Sequence, residues 1–370
     1  MTSNLQPFPP PRPTASMPTV ECLSEAQLPE WDAFVAEHPL GVIYHHSSWK
    51  RVIESSFPHI RGCILVVRAP SSGRICAGIP IYRVKSWLLR DRLVSIPFAS
   101  ICDPLVTDES QWEVLNPAID AEKQASGNCP FELRLWRSTV PNLSEANCRT
   151  EVALHHTIEL SPGADAIFPK LSRTAVRRMI SKGKALGVET RLGDSHQDLQ
   201  AFYRLLVCSR RRLGLPAIPE TYFRAIWDLL SDRNRSLILA LRENKPIAAA
   251  LSLRFGPVFI LEYSGEDDAT VGCGAGQMVY WESVRHACSL GCSLFSFGRT
   301  SVENTGLAAY KLHWASKEER LVTYWPGSPG VRRHAVAKAP RSRRLIGWLS
   351  THLPPSLYRA MSAFCYRHWG

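Results

Sequence analysis

Two cations near the end of the chain bracket a short polar loop. In the stretch FSFGRTSVENTGLAAYKLHWAS, an apolar run (Leu294, Phe295, Phe297) leads into Gly298, Arg299 and Thr300. Glu303, Asn304 and Gly306 follow, then a helical segment with Lys311 and Trp314. Arg offers a planar fork of donors and Lys a compact point charge, so Arg299 and Lys311 together could hold a phosphate or carboxylate, with Asn304 beside them. The alternative, that both cations pair with acidic neighbours at a surface edge, is equally open. Upstream, Glu262 and Tyr263 end an apolar segment. Glu262 is a candidate general base and Tyr263 a candidate acid or orienting hydroxyl. A carboxylate at a strand end can equally be an ion-pair partner. His313 could face the same site or be structural. The loop Gly272-Cys273-Gly274-Ala275-Gly276 precedes a helical stretch from Gln277. Gly272, Gly274, Gly276 and Gln277 could therefore cradle a pyrophosphate on backbone N–H groups, although Asp267 and Asp268 just upstream would repel it. Trp49, Trp281 and Trp314 read as core or cleft walls, with Trp281 a candidate substrate contact.

The elements that must position these groups follow from apolar periodicity and turn residues. Residues 1–19 are rich in Pro, Ser and Thr and are expected to form a disordered arm. Helices are predicted over 30–37, from a cap at Ser47 or Ser48, and over 111–123, with strands at 64–68, 75–84, 93–97, 131–136 and 155–160. Basic helices are predicted over 164–186 and end at Gly187, placed as a C-cap. A strand at 188–191, helices at 199–213 and 220–230, strands at 237–241, 247–255 and 258–263, and a helix at 277–290 complete the pattern. A repeat is visible: a Trp-bearing helix is followed by ILVVRAPSSGRICAGIPIYRV in one half and by LILALRENKPIAAALSLRF in the other. Two copies of one mixed α/β unit, over 20–162 and 163–326, is the simplest organisation, with a cleft between them.

Bulk properties bound the class. A chain of 370 residues holds two or three domains, and 45% hydrophobic content supplies their cores. No apolar run approaches a membrane span and no signal segment opens the chain, so a cytoplasmic location is expected. Eleven scattered cysteines without a CxxC, and the pairs His45-His46 and His155-His156 far from them, argue against a metal site or disulfide framework. The net charge is +11. Residues 331–370 hold eight Lys or Arg and no acid, and residues 170–191 hold seven cations against Glu189. Both could meet phosphates of tRNA or of lipid-linked precursors, or be solvated faces. In the tail, 327–370, aromatic residues mix with Arg and His. It could lie on an anionic membrane or dock on its own domain. The chain lacks GxSxG and GxxxxGK[ST], so neither a hydrolase elbow nor a phosphate-binding P-loop is indicated.

The succession of the basic helix ending in Gly187-Val188, RRLGLPAIPETYF, KPIAAALSL, Tyr263-Ser264-Gly265, VYWESVRHACSLG and FSFGRT…YKLHW resembles the FemAB-related proteins, a tandem GNAT-like family, and in particular the subgroup associated with PEP-CTERM and exopolysaccharide systems. The resemblance spans roughly residues 43–325. It implies an α/β (α+β) fold of two GNAT-like domains that transfers an acyl or aminoacyl group to an amine. The implied co-substrate is an acyl-CoA or an aminoacyl-tRNA, with no tightly bound cofactor. The implied acceptor is an amine-bearing sugar, peptide or lipid-linked precursor in cell-envelope assembly. The chain departs from the family at Ser296, where the family has Asp, at Thr300 in place of Ser, and at Ala315 in place of Gly. A Ser can hydrogen-bond but carries no charge, which leaves two further readings: a catalytically silent scaffold that binds RNA, lipid or a partner, and a CoA-dependent N-acetyltransferase acting on a small amine.

Overall fold

The computed structural model describes residues 19–138, 148–326 and 341–369. The first half runs β1 (Thr19–Cys22), α1 (Leu28–Glu37), α2 (Ser47–Ser56), β2 (Ile60–Arg68), β3 (Ile75–Val84), β4 (Arg92–Val94), α3 (Glu109–Ala125), β5 (Phe131–Leu135) and β6 (Cys148–Glu159). After α4 (Ala164–Ile167) and α5 (Arg178–Ala185) the second half repeats the order: β7 (Val188–Gly193), α6 (His196–Arg212), α7 (Glu220–Leu229), β8 (Arg235–Arg242), β9 (Lys245–Phe255), β10 (Val258–Glu266), α8 (Ala275–Ser289), β11 (Leu294–Ser301), α9 (Thr305–Leu312) and β12 (Lys317–Pro326). The chain closes with α10 (Arg341–His352) and α11 (Pro355–His368). The expected disordered arm lies outside the described residues except for its last position, Thr19, which opens β1.

All twelve strands join one sheet, in the order β1-β2-β3-β4-β5-β12-β6-β11-β10-β9-β8-β7. In each half, antiparallel pairs lead to one parallel pair, β4–β5 or β10–β11, whose crossover is a single helix, α3 or α8. The last strand of each half is exchanged. β12 pairs with β5 of the first half, and β6 pairs with β11 of the second. The two exchanged strands pair with each other over ten positions at the centre of the sheet. β6, which precedes residue 163, therefore belongs by pairing to the sheet of the second half.

The repeat is real in packing as well as in order. The Trp-bearing helices α2 and α7 pack against each other, and the Trp49 and Tyr222 rings meet edge to face at 6.1 Å. That contact sits in the largest apolar cluster, which draws residues from both halves and includes Trp49, Phe57, Phe202, Phe223 and Leu251. A second cluster lies under α8 on the other face of the sheet, with Phe259, Phe295 and Trp314. Burying a side chain of that size contributes about 1.5–3 kcal/mol. The basic segment 164–186 is not one helix. Pro169 interrupts it, and a π turn (Arg173–Arg177) precedes α5. Gly187 ends it at φ +72°, as a C-cap glycine does.

Candidate functional site

Two bulges in adjacent strands create the site. β10 and β11 run parallel and pair only from Val258–Leu294 to Ile260–Ser296, although both strands continue further. On β10 the register against β9 slips between Leu261 and Tyr263, which makes Glu262 the extra residue. On β11 the register against β6 slips between Ser296 and Arg299, across Phe297 and Gly298, and Gly298 takes φ +66°. A bulge bends its strand and re-aims a side chain. Two in neighbouring strands part them and leave backbone groups facing a gap.

Glu262 sits at that gap and keeps partial solvent access. Its carboxylate accepts a 2.6 Å hydrogen bond from the Tyr44 hydroxyl, which comes from the other half of the chain. Burial pushes its pKa up to about 6, while the Tyr44 bond and the Lys311 charge pull the other way. Lys311, on α9, is 7% exposed. Its ammonium donates to the carbonyls of Phe297 at 2.6 Å and Gly298 at 3.1 Å, so it pins the β11 bulge. Burial lowers its pKa to about 8 against the attraction of Glu262. Behind it, His155 Nε2 lies 2.7 Å from Ser296 Oγ, which also accepts the Gly298 N–H. Burial and Lys311 hold His155 down at about 3, so it is neutral.

The other sequence candidates fall in different places. Tyr263 does not serve Glu262. Its side chain is buried in the large cluster and shares a 3.1 Å hydrogen bond with the Tyr222 hydroxyl, and the hydroxyl that reaches Glu262 belongs to Tyr44. Sequence reasoning could not find Tyr44, because nothing local marks a residue 218 positions from its partner. Arg299 pairs with Glu151 at 2.8 Å on the surface, the edge pairing left open from the sequence, whereas the Lys311 ammonium donates to backbone carbonyls. Asn304 caps α9 by accepting the Leu307 N–H, so its amide is engaged in structure. Trp281 packs against Phe168 at 4.9 Å, in the cluster under α8, and not at the gap. His313 is exposed and lends its carbonyl to Ser172. Ala315 takes φ +55°, the left-handed conformation that the family's glycine would adopt freely.

The glycine loop is closed rather than open. The Gly272 carbonyl accepts from Lys182 at 2.8 Å. Gly274 is at φ +98° and packs so tightly that an added Cβ would lie 2.1 Å from the Met179 carbonyl oxygen. The Glu266 carboxylate lies beside the start of α8, 3.4 Å from where a Cβ on Gly276 would stand. Gln277, in the first turn of α8, lies beside the Tyr310 hydroxyl. Glu266 thus brings a carboxylate close to this helix N-terminus. Among the described residues no group of three His, Cys, Asp or Glu could hold a metal ion, and no helix is long and apolar enough to cross a membrane.

Comparison with known proteins agrees with this architecture. An acetyltransferase (GNAT) domain model matches residues 170–312. The chain is 20% identical over 319 residues to a UDP-N-acetylmuramoylpentapeptide-lysine N(6)-alanyltransferase from Weissella viridescens, across 80% of this chain and 90% of that one. Its fold is similar to the crystal structure of FemX, with a TM-score of 0.65 at 14% identity over 82% of this chain and 96% of the other. It is also similar to a tandem GNAT protein from the clavulanic acid biosynthesis pathway, with a TM-score of 0.51 at 10% identity over 85% and 99% of the two chains.

Proposed function

We propose that this chain, a homologue of the FemX/FemAB-type aminoacyltransferases with a GNAT domain and hence an acyltransferase, moves an aminoacyl group from an aminoacyl-tRNA ester to the amine of a cell-envelope or exopolysaccharide precursor. The single observation that carries the reading is Glu262. It is a bulged carboxylate at the opening between β10 and β11, oriented by Tyr44 and poised at about 6. The acceptor amine attacks the donor carbonyl and passes its proton to Glu262. The proton then goes to the leaving hydroxyl as the ester bond breaks and the amide forms. A base with a pKa near 6 is ionised at neutral pH and still returns a proton readily. Lys311 acts as a positioning residue: it fixes the β11 bulge, and its charge favours the ionised form of Glu262. Arg299 lies at the exposed end of β11, where a long anionic acceptor could exchange Glu151 for its own phosphate or carboxylate.

An ester donor is favoured over acyl-CoA by the α8 N-terminus, because the Glu266 carboxylate stands beside Gly276 there and would repel a pyrophosphate. The test is acceptor-dependent consumption of aminoacyl-tRNA by the purified chain, followed by mass spectrometry of the product, with UDP-linked muropeptides and amino sugars as acceptors. Transfer that is lost in Glu262→Gln supports the reading. Transfer from acetyl-CoA or longer acyl-CoAs, with none from aminoacyl-tRNA, would replace the donor. Full transfer by Glu262→Gln would remove the proposed base.

A further inference from the structure

The outer face of the C-terminal helix pair and one loop of the first half form a continuous apolar surface. Trp87, Leu88 and Leu89, between β3 and β4, are 76%, 51% and 51% exposed. Trp87 lies edge-on to Phe364 of α11 at 6.3 Å and to His368 at 4.8 Å. Leu88, Leu89, Ile346 and Phe364 line one groove of about 780 Å³, which joins the loop to both α10 and α11. Trp348 on α10 and Leu357 on α11 add further exposed apolar area. These residues are not leftovers of a loosely attached tail. The inner face of α11 is docked: the Tyr358 hydroxyl donates to the Leu215 carbonyl at 2.8 Å, Arg210 donates to the Tyr366 hydroxyl at 3.0 Å, and Ser362 accepts the Ala217 N–H at 3.0 Å. One side of α11 therefore docks on the chain's own domain, and the other is left open to solvent.

We infer that this face is a docking surface for an anionic lipid bilayer. Charge decides the occupant. Lys85, Arg90, Arg344 and Arg367 are exposed on the patch's own elements, and neither α10 nor α11 contains an acidic residue. The carboxylates nearby are engaged: Asp91 accepts from Arg83 and the Ser86 N–H, and Glu132, which lines the groove, is paired with Arg134 at 2.7 Å. A second copy of a chain with a net charge of +11 would bring like charges together on both sides. A surface of acidic phospholipids supplies the complement, while Trp87, Leu88 and Phe364 enter the boundary between headgroups and acyl chains. Arg side chains beside apolar ones suit that boundary, since their stems lie along the apolar layer and their guanidinium groups reach phosphates. The inference goes beyond the transfer reaction, because binding to a bilayer requires no donor, acceptor or Glu262.

The experiment is co-sedimentation of the full chain with phosphatidylcholine vesicles with and without phosphatidylglycerol, at low and high salt. The wild type should partition onto the vesicles that contain phosphatidylglycerol and be released by salt. The double variant Trp87→Ser/Leu88→Ser should partition roughly tenfold or more weakly, given the apolar area it withdraws. Phe364→Ser should weaken binding independently, and both variants alter exposed side chains and should melt with the wild type. Failure to bind acidic vesicles overturns the inference, as does equal binding to both vesicle types with no effect of the variants. Concentration-dependent self-association that Trp87→Ser/Leu88→Ser abolishes, without vesicle binding, would assign the face to a second copy and overturn it too.

Discussion

Replacing Glu262 by Gln separates chemistry from structure, because the two respond in opposite directions. The carboxyl is raised from its ordinary 4.5 to about 6 by burial. That difference corresponds to about 2 kcal/mol by which the ionised form disfavours the fold. A raised pKa means that the native state holds its proton longer than the unfolded chain. The stabilisation is therefore present below about pH 4.5 and is lost as pH rises through about 6. Gln has no such dependence, and its amide oxygen can still accept the Tyr44 hydroxyl. The variant should thus be no less stable than the wild type at neutral pH, and its advantage should grow by up to about 2 kcal/mol between about pH 4.5 and pH 7, read by urea unfolding. Activity should move the other way. Loss of a general base costs about 10²–10⁴ in kcat/KM, and the acidic limb near pH 6 should vanish from the pH–rate profile. The reasoning is refuted if Glu262→Gln keeps both that limb and its rate. A strongly destabilised variant would reduce Glu262 to a structural acceptor for Tyr44.

Three further outcomes are expected. Lys311 is lowered from 10.5 to about 8, so the unfolded chain binds more protons between those values and wild-type stability should rise with pH there. Relative to Lys311→Met, which cannot titrate, the rise should amount to about 3 kcal/mol, and the comparison cancels the buried tyrosines common to both proteins. Gly274→Ala should lose about 2 kcal/mol or more, since its Cβ meets the Met179 backbone at φ +98°, whereas Gly276→Ala, whose Cβ lies 3.4 Å from the Glu266 carboxylate, should lose about 1 kcal/mol or less in thermal melts. Arg299→Ala removes one exposed ion pair and should change stability by about 0–1 kcal/mol. If Arg299 holds the acceptor, steady-state kinetics should show KM for the acceptor rising with little change in kcat.

Local signals carried most of the elements. The hairpins β2–β3 and β8–β9 were readable from turn residues between apolar runs, and the repeat of Trp49 and Trp227 helices foretold two copies. β12 was not readable: Lys317, Glu318, Glu319 and Arg320 open it with charges, and only its position between β5 and β6 makes it a strand. The exchange of β6 and β12 is likewise a matter of partners well over a hundred residues apart, which no window of sequence reports. At the site, Glu262 and Lys311 were legible as residue types at element ends. Their geometry was not, because it depends on two register slips and on Tyr44, a residue brought from the other half by the helix pair α2 and α7. Arg299 and Lys311 looked alike from the sequence. Burial separates them, since one is exposed and paired while the other is enclosed and holds the backbone.

The exchanged strands set a timetable for synthesis. When β6 has left the ribosome its two neighbours, β11 and β12, do not yet exist, and β12 ends at residue 326 whereas β6 ends at residue 159. At about 5–20 residues per second the wait is on the order of ten seconds. Throughout it β5 and β6 present unpaired edges, the kind of surface that recruits other chains. The nascent first half therefore carries these edges until β12 arrives to sit between them.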